Sequence, residues 1–185
     1  DLASFQAAVA EAEAKFGPVD LLINNAGVML LGNAITQNPQ EWQQMLNVNV
    51  MGVLNGVKSV LANMVSRNHG TIVNISSIAG RKTFPDHAAY CATKFAVHAL
   101  SENIRGEIAG SNVRMTIIAP GVVETELLSH TTDAAIVDGY KAWKANTIEQ
   151  GLNPDDIARA IEFAYAQPQN VCIREIVIAD TKQDA

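Results

Sequence analysis

Hydrophobic positions along the chain alternate between a helical rhythm and short continuous runs. Leu2, Phe5, Val9, Ala12 and Phe16 recur at helical spacing and predict an amphipathic helix over residues 1–16. Gly17 and Pro18 end it, because glycine suits a C-terminal cap and proline cannot continue a helix. The apolar run 19–23 reads as a strand, and Asn24, Asn25, Ala26 and Gly27 turn the chain at its end. Asn38 and Pro39, an N-cap followed by a first-position proline, open the next helix. Its inner face carries Trp42, Met45, Leu46, Val50, Val53, Leu54, Val57, Leu61 and Met64. Asn49 and Gly52 interrupt it, and both are poor choices for a helix interior.

The same alternation continues with a strand over 71–76, a helix from 88 to about 108, and a strand over 113–119 closed by Pro120 and Gly121. Residues 122–152 are less regular, although Ile136, Tyr140 and Trp143 keep helical spacing and predict a short helix over a pocket. Asn153, Pro154, Asp155 and Asp156 start another helix, with acids in its positive first turn. It runs to about residue 166, and 171–178 is the last strand. Strands alternating with helices imply βαβ units and right-handed crossovers. The expected fold is α/β, a Rossmann-type doubly wound parallel sheet.

Composition narrows the function classes. The 185 residues are 48% hydrophobic and 17% charged, which suits a single domain around a buried parallel sheet. With 13 basic and 19 acidic residues the net charge is −6, and the basic residues are scattered, so neither a nucleic acid nor an anionic membrane is the expected partner. Cys91 and Cys172 lack CxxC spacing and read as reduced thiols. His69, His87, His98 and His130 show no paired-ligand spacing, so no metal site is expected. No apolar run approaches a membrane span and no signal peptide opens the chain, so a soluble, cytoplasmic protein is expected.

Candidate chemistry concentrates in residues 70–94. Ser77 follows a strand, at the end where open α/β sheets bind ligands. Tyr90 and Lys94 stand four apart on one helix face, so phenol and ammonium can enter the same space. An adjacent ammonium is expected to lower the phenol's pKa from about 10, letting Tyr90 exchange a proton with a substrate oxygen that Ser77 steadies. Hydride transfer with a nicotinamide cofactor fits this inventory. Tyr140 and Lys144 repeat the spacing, but Leu127 stands thirteen residues upstream of Tyr140, where Tyr90 has Ser77. They are read as a surface pair.

Five motifs occur in order: Asn24 to Gly27; Asn49, Val50, Met51 and Gly52; Ile75, Ser76 and Ser77; Tyr90 through Lys94; and Pro120 through Thr125. The ordered set resembles the single-domain branch of the short-chain dehydrogenases/reductases over essentially the whole chain. That resemblance implies a catalytic Tyr90, Lys94, Ser77 and Asn49, with the Asn49 backbone carbonyl holding a relay water. Lys94 and Tyr90 would also meet the cofactor, NADP with NAD as the alternative. Asn25, Ala26 and Gly27 would lie along its adenosine ribose. Pro120, Gly121 and the Val123 backbone would face the nicotinamide carboxamide, and Thr125 the carboxamide or diphosphate. Residues 1–185 would form one domain with 126–150 as its substrate loop. The substrate would be a small alcohol or carbonyl compound, with the chain looking most similar to bacterial NADP-dependent reductases of small hydroxy acids. A homodimer or homotetramer is also implied.

The family's glycine-rich diphosphate turn does not occur in this sequence. About 60 residues, two βαβ units, are expected ahead of Asp1 in the working polypeptide. The competing reading is a non-catalytic, truncated relative that acts as a binding or scaffold protein. An epimerase or dehydratase is disfavoured by the short C-terminal region.

Overall fold

A computed structural model describes residues 1–148 and 150–184. Helix α1 (Leu2–Phe16) is capped by Asp1, whose carboxylate accepts the Ser4 N–H at 3.0 Å, and ends at Gly17 with φ 87°. Its apolar stripe is less covered than the spacing suggests. No α1 residue is fully buried, Ala12 is exposed and Phe16 is 79% exposed, because α1 rests mainly on one neighbouring helix.

Strand β1 (Leu21–Asn24) is followed by α2 (Pro39–Leu46), where the Asn38 side chain accepts the Gln40 N–H. The helix then widens to a π-helical turn (Asn47–Met51) and resumes as α3 (Gly52–Ser66). The interruption expected at Asn49 and Gly52 is therefore a bulge and not a break, and such bulges recur at functional sites. The helix is continuous over the 28 residues Pro39–Ser66, and an 18-residue window within it has a mean hydropathy of 1.2, long and apolar enough to cross a membrane by length and composition. This corrects the expectation that no run approaches a span. Val53, Val57, Val60 and Met64 of this helix join Ile72, Val97, Val113 and Met115 in one core cluster.

Strands β2 (Gly70–Ile75) and β3 (Val113–Pro120) lie at the centre, with α4 (Ala88–Glu107) between them in sequence. Helices α5 (Ala134–Thr147) and α6 (Pro154–Tyr165) precede β4 (Glu175–Ile178). The sheet is parallel with order β1-β2-β3-β4, pairing Ile23 with Val73, Val73 with Thr116, and Ile118 with Ile176.

Alternation along β3 decides which face each helix covers. Val113 and Met115 meet the α3 and α4 side chains, while Arg114 points the other way. Its guanidinium donates to Thr71 Oγ1 at 3.0 Å and to the carbonyls of Tyr165 at 3.0 Å and Gln167 at 2.8 Å, which caps the end of α6. Helices therefore cover both faces, as doubly wound sheets require. The final strand begins later than its apolar run, since the Val171 and Ile173 carbonyls accept from the side chains of Arg114 and Thr116.

Candidate active site

Ser77 is extended (φ −168°, ψ 162°) and caps the short turn Ile78–Gly80, its hydroxyl accepting the Ala79 N–H at 3.1 Å. The same hydroxyl lies 3.4 Å from the Pro120 carbonyl, between the C-terminal ends of β2 and β3. Tyr90 and Lys94 enter this space from the first turns of α4, with 5% and 7% of their surfaces exposed. Lys94 Nζ donates to the Ile75 carbonyl at 3.0 Å and sits 5.6 Å from the centre of the Tyr90 ring. Ser77 is close enough to hydrogen-bond the phenol. All three groups converge beside the C-terminal ends of β2 and β3.

The electrostatics differ from the expected acidified phenol. Burial pushes Tyr90 above its ordinary value, and the Ser77 hydrogen bond only partly offsets this. Burial also lowers Lys94 to about 8. Withdrawal from water penalises the charged form of each group more than they assist one another. The phenol is thus held protonated, the form that can give a proton.

Asn49 is 1% exposed and its side chain is fully engaged. Oδ1 accepts the Val28 N–H at 2.8 Å, and Nδ2 donates to the Val28 carbonyl at 2.9 Å and to Thr93 Oγ1 at 3.1 Å. Thr93 in turn donates to the Tyr90 carbonyl at 2.7 Å. This path ties the turn after β1 to the helix carrying Tyr90 and Lys94. These side-chain contacts are ones that the resemblance, concerned with the backbone carbonyl, did not include.

Asn25 and Ala26 are exposed beyond β1, and Gly27 passes close to the pair. A Cβ on Gly27 would lie 3.4 Å from Asn49 Oδ1 and 3.8 Å from Lys94 Nζ. Across the cleft, a bridge to Leu152 uses the Val122 carbonyl and the Glu124 N–H, so the N–H and C=O of Val123 point the opposite way. Thr125 Oγ1 accepts the Leu127 N–H at 3.3 Å and caps the turn Glu126–His130. Gly121 donates its N–H to Ile178 at 2.8 Å. Its open flank is taken by Gln183, whose Oε1 accepts the Val122 N–H at 2.9 Å.

Residues 1–135 match the family model for short chain dehydrogenases. The chain belongs to the short-chain dehydrogenase family. It is 42% identical over 170 residues to an uncharacterized oxidoreductase of Staphylococcus saprophyticus, covering 91% of this chain and 68% of that one. Among solved structures, the closed form of serine dehydrogenase complexed with NADP+ matches with a TM-score of 0.90 and 32% identity, over 100% of this chain and 74% of that one. A gluconate 5-dehydrogenase from Burkholderia cenocepacia, in complex with NADP and tartrate, matches with a TM-score of 0.82 and 30% identity, over 96% and 70%.

In this short-chain dehydrogenase, Tyr140 is not half of a surface pair. Helix α5 lies across the cleft, so Tyr140 and Ile136 pack on the cluster that contains Tyr90 and Met29. Burial, with the nearby Glu124 carboxylate, pushes the Tyr140 phenol up to about 12. Lys144 turns to Glu124 instead, at 2.5 Å. Two neighbours were not singled out in the sequence. His87 stands three residues before Tyr90, a position that could have suggested it, and its Nδ1 lies 2.5 Å from the Pro85 carbonyl. Gln183 comes from a polar tail that carried no signal.

Proposed function

We propose that this protein is an NADP-dependent oxidoreductase that interconverts an alcohol and a carbonyl compound, with Tyr90 exchanging the proton. The observation that carries the reading is the convergence of Ser77, Tyr90 and Lys94 at the C-terminal end of a parallel sheet. The NADP named for the serine and gluconate dehydrogenase structures supports the cofactor, with NAD as the alternative.

The residues present fit a dinucleotide. Gly27 leaves room beside Lys94, which uses one N–H on Ile75 and keeps the others for a ribose diol. Asn25, Ala26 and Gly27 would flank the adenosine ribose. Pro120, Gly121 and Val123 would line the carboxamide, Val123 through its outward N–H and C=O, and Thr125 would cap the same wall. When bound, the cofactor supplies or accepts the hydride. Tyr90, held protonated, gives its proton to the substrate oxygen as a carbonyl is reduced, and Ser77 hydrogen-bonds that oxygen and fixes its position. Asn49 and Thr93 keep the Tyr90 helix and the Gly27 turn in register.

Residues 1–185 act as one domain in this reading, with 126–150 as the substrate loop, and the protein works in the cytoplasm. It assembles as a homodimer or homotetramer, supported by the exposed Leu46, Met51 and Phe95. Light scattering on the purified protein tests the assembly, and a monomer at all concentrations would remove it.

The deciding experiment follows nicotinamide absorbance with a carbonyl panel in wild type and Tyr90→Phe. Losing the hydroxyl while keeping the ring should lower turnover by about 10²–10⁴-fold without abolishing NADP binding. Full turnover in Tyr90→Phe would refute the assignment.

A further inference from the structure

Rings pack in series outward from the proposed proton donor. The Tyr90 ring meets His87 edge-on at 6.3 Å, and His87 meets Phe84 at 5.7 Å and Tyr140 at 6.4 Å. Tyr140 meets Trp143 edge-on at 5.5 Å, and Trp143 is 38% exposed. A continuous aromatic path therefore joins the reacting phenol to solvent. It is built from both sides, Phe84 and His87 from the approach to α4, Tyr140 and Trp143 from α5.

Charge along this path is closed off within the chain. Lys144, one turn beyond Tyr140, is held by Glu124 at 2.5 Å, and Glu124 also accepts the Gly151 N–H at 2.6 Å. Burial is the larger cause of the raised Tyr140 phenol, and the nearby Glu124 carboxylate adds to it. His87 is kept neutral because burial, which lowers its pKa, outweighs the Pro85 carbonyl and the Asp86 carboxylate, which both favour the protonated ring. Lys82 stands over the Phe84 ring at 5.9 Å and is exposed, a cation at the edge of the ring series.

We propose that Phe84, His87, Tyr140 and Trp143 form a selecting wall that favours uncharged carbonyl compounds carrying a flat apolar substituent over hydroxy and keto acids. A planar group gains ring contacts along the wall, whereas a carboxylate must give up water opposite Glu124 and a neutral imidazole. The inference rests on the oxidoreductase reading above and sets the substrate apart from the small hydroxy acids that the sequence resemblance suggested.

Two matched pairs test it on the full gene product with NADPH: ethyl acetoacetate against acetoacetate, and acetophenone against acetone. The uncharged ester and the aryl ketone should each exceed their partner in kcat/KM by roughly tenfold or more. Tyr140→Ala should erase the aryl preference chiefly through KM, and Tyr140→Phe should restore it, which a merely unpacked α5 would not permit. Tyr140→Arg should shift the first pair toward acetoacetate. Calorimetric Kd values on the NADP-loaded protein give the same ranking where turnover is slow. Equal or better use of acetoacetate, its loss in Lys82→Ala, or no binding of acetophenone would overturn the wall. Absence of NADP binding together with absence of all turnover would instead overturn the oxidoreductase reading.

Discussion

Replacing Asn49 by alanine isolates the link between the turn after β1 and the helix that carries Tyr90. Three hydrogen bonds vanish at once, two to the Val28 backbone at 2.8 and 2.9 Å and one to Thr93 at 3.1 Å. At about 1 kcal/mol net for each bond, the loss is about 3 kcal/mol. Val28 is half-buried, so water can reach part of its freed N–H and carbonyl, and the loss should stay below about 5 kcal/mol. Against a total stability of roughly 5–15 kcal/mol, this is a large fraction but leaves a folded protein. Urea unfolding followed by circular dichroism measures it, with the slope unchanged if the denatured state is unaffected. Because Gly27 adjoins Val28 and approaches Lys94, KM for NADP should rise in the folded variant, with a smaller change in kcat. A double-mutant cycle with Thr93→Val separates the third bond, for which about 1 kcal/mol of coupling is expected. A loss below about 1 kcal/mol in Asn49→Ala, with cofactor affinity intact, would show that Asn49 does not anchor the turn.

Three further perturbations probe other parts of the structure. Lys94 has a folded pKa of about 8 against its ordinary 10.5, so between those values the unfolded chain keeps a proton that the folded protein sheds. Stability should therefore rise with pH across that window by on the order of 3 kcal/mol, and a pH series of urea midpoints should flatten in Lys94→Met. Tyr90 acts in the opposite sense above its ordinary 10, where the folded protein retains a proton that the unfolded chain loses, so stability falls there. Arg114→Met strips the carbonyls of Tyr165 and Gln167 of their donor and should lower stability by about 3 kcal/mol or more; a loss under about 1 kcal/mol would contradict the capping role. Gly56→Ala would bring a Cβ to 2.1 Å from Asn24 Oδ1, disturbing the buried bond from Asn24 Nδ2 to Asn74, and should lower the melting temperature by an amount equivalent to about 1–3 kcal/mol.

The sequence alone determined what depends on near neighbours. Caps at Asn38 and Asn153, the stop at Gly17, an irregularity at Asn49 and the strand–helix alternation all follow from local backbone chemistry and side-chain periodicity, while the structure showed the irregularity to be a bulge. The i, i+4 spacing of Tyr90 and Lys94 belongs with these, since a helix alone places them together. The tertiary structure decided whatever depended on distant segments meeting. It left the α1 stripe partly bare, turned Tyr140 inward, gave Lys144 to Glu124, and let Arg114 and Thr116 take carbonyls that delay β4. It also set the direction in which Tyr90 and Lys94 are shifted. Spacing can bring a phenol and an amine to one face, but only the layers packed around them determine how much water each retains, and that water governs which charge state is stable.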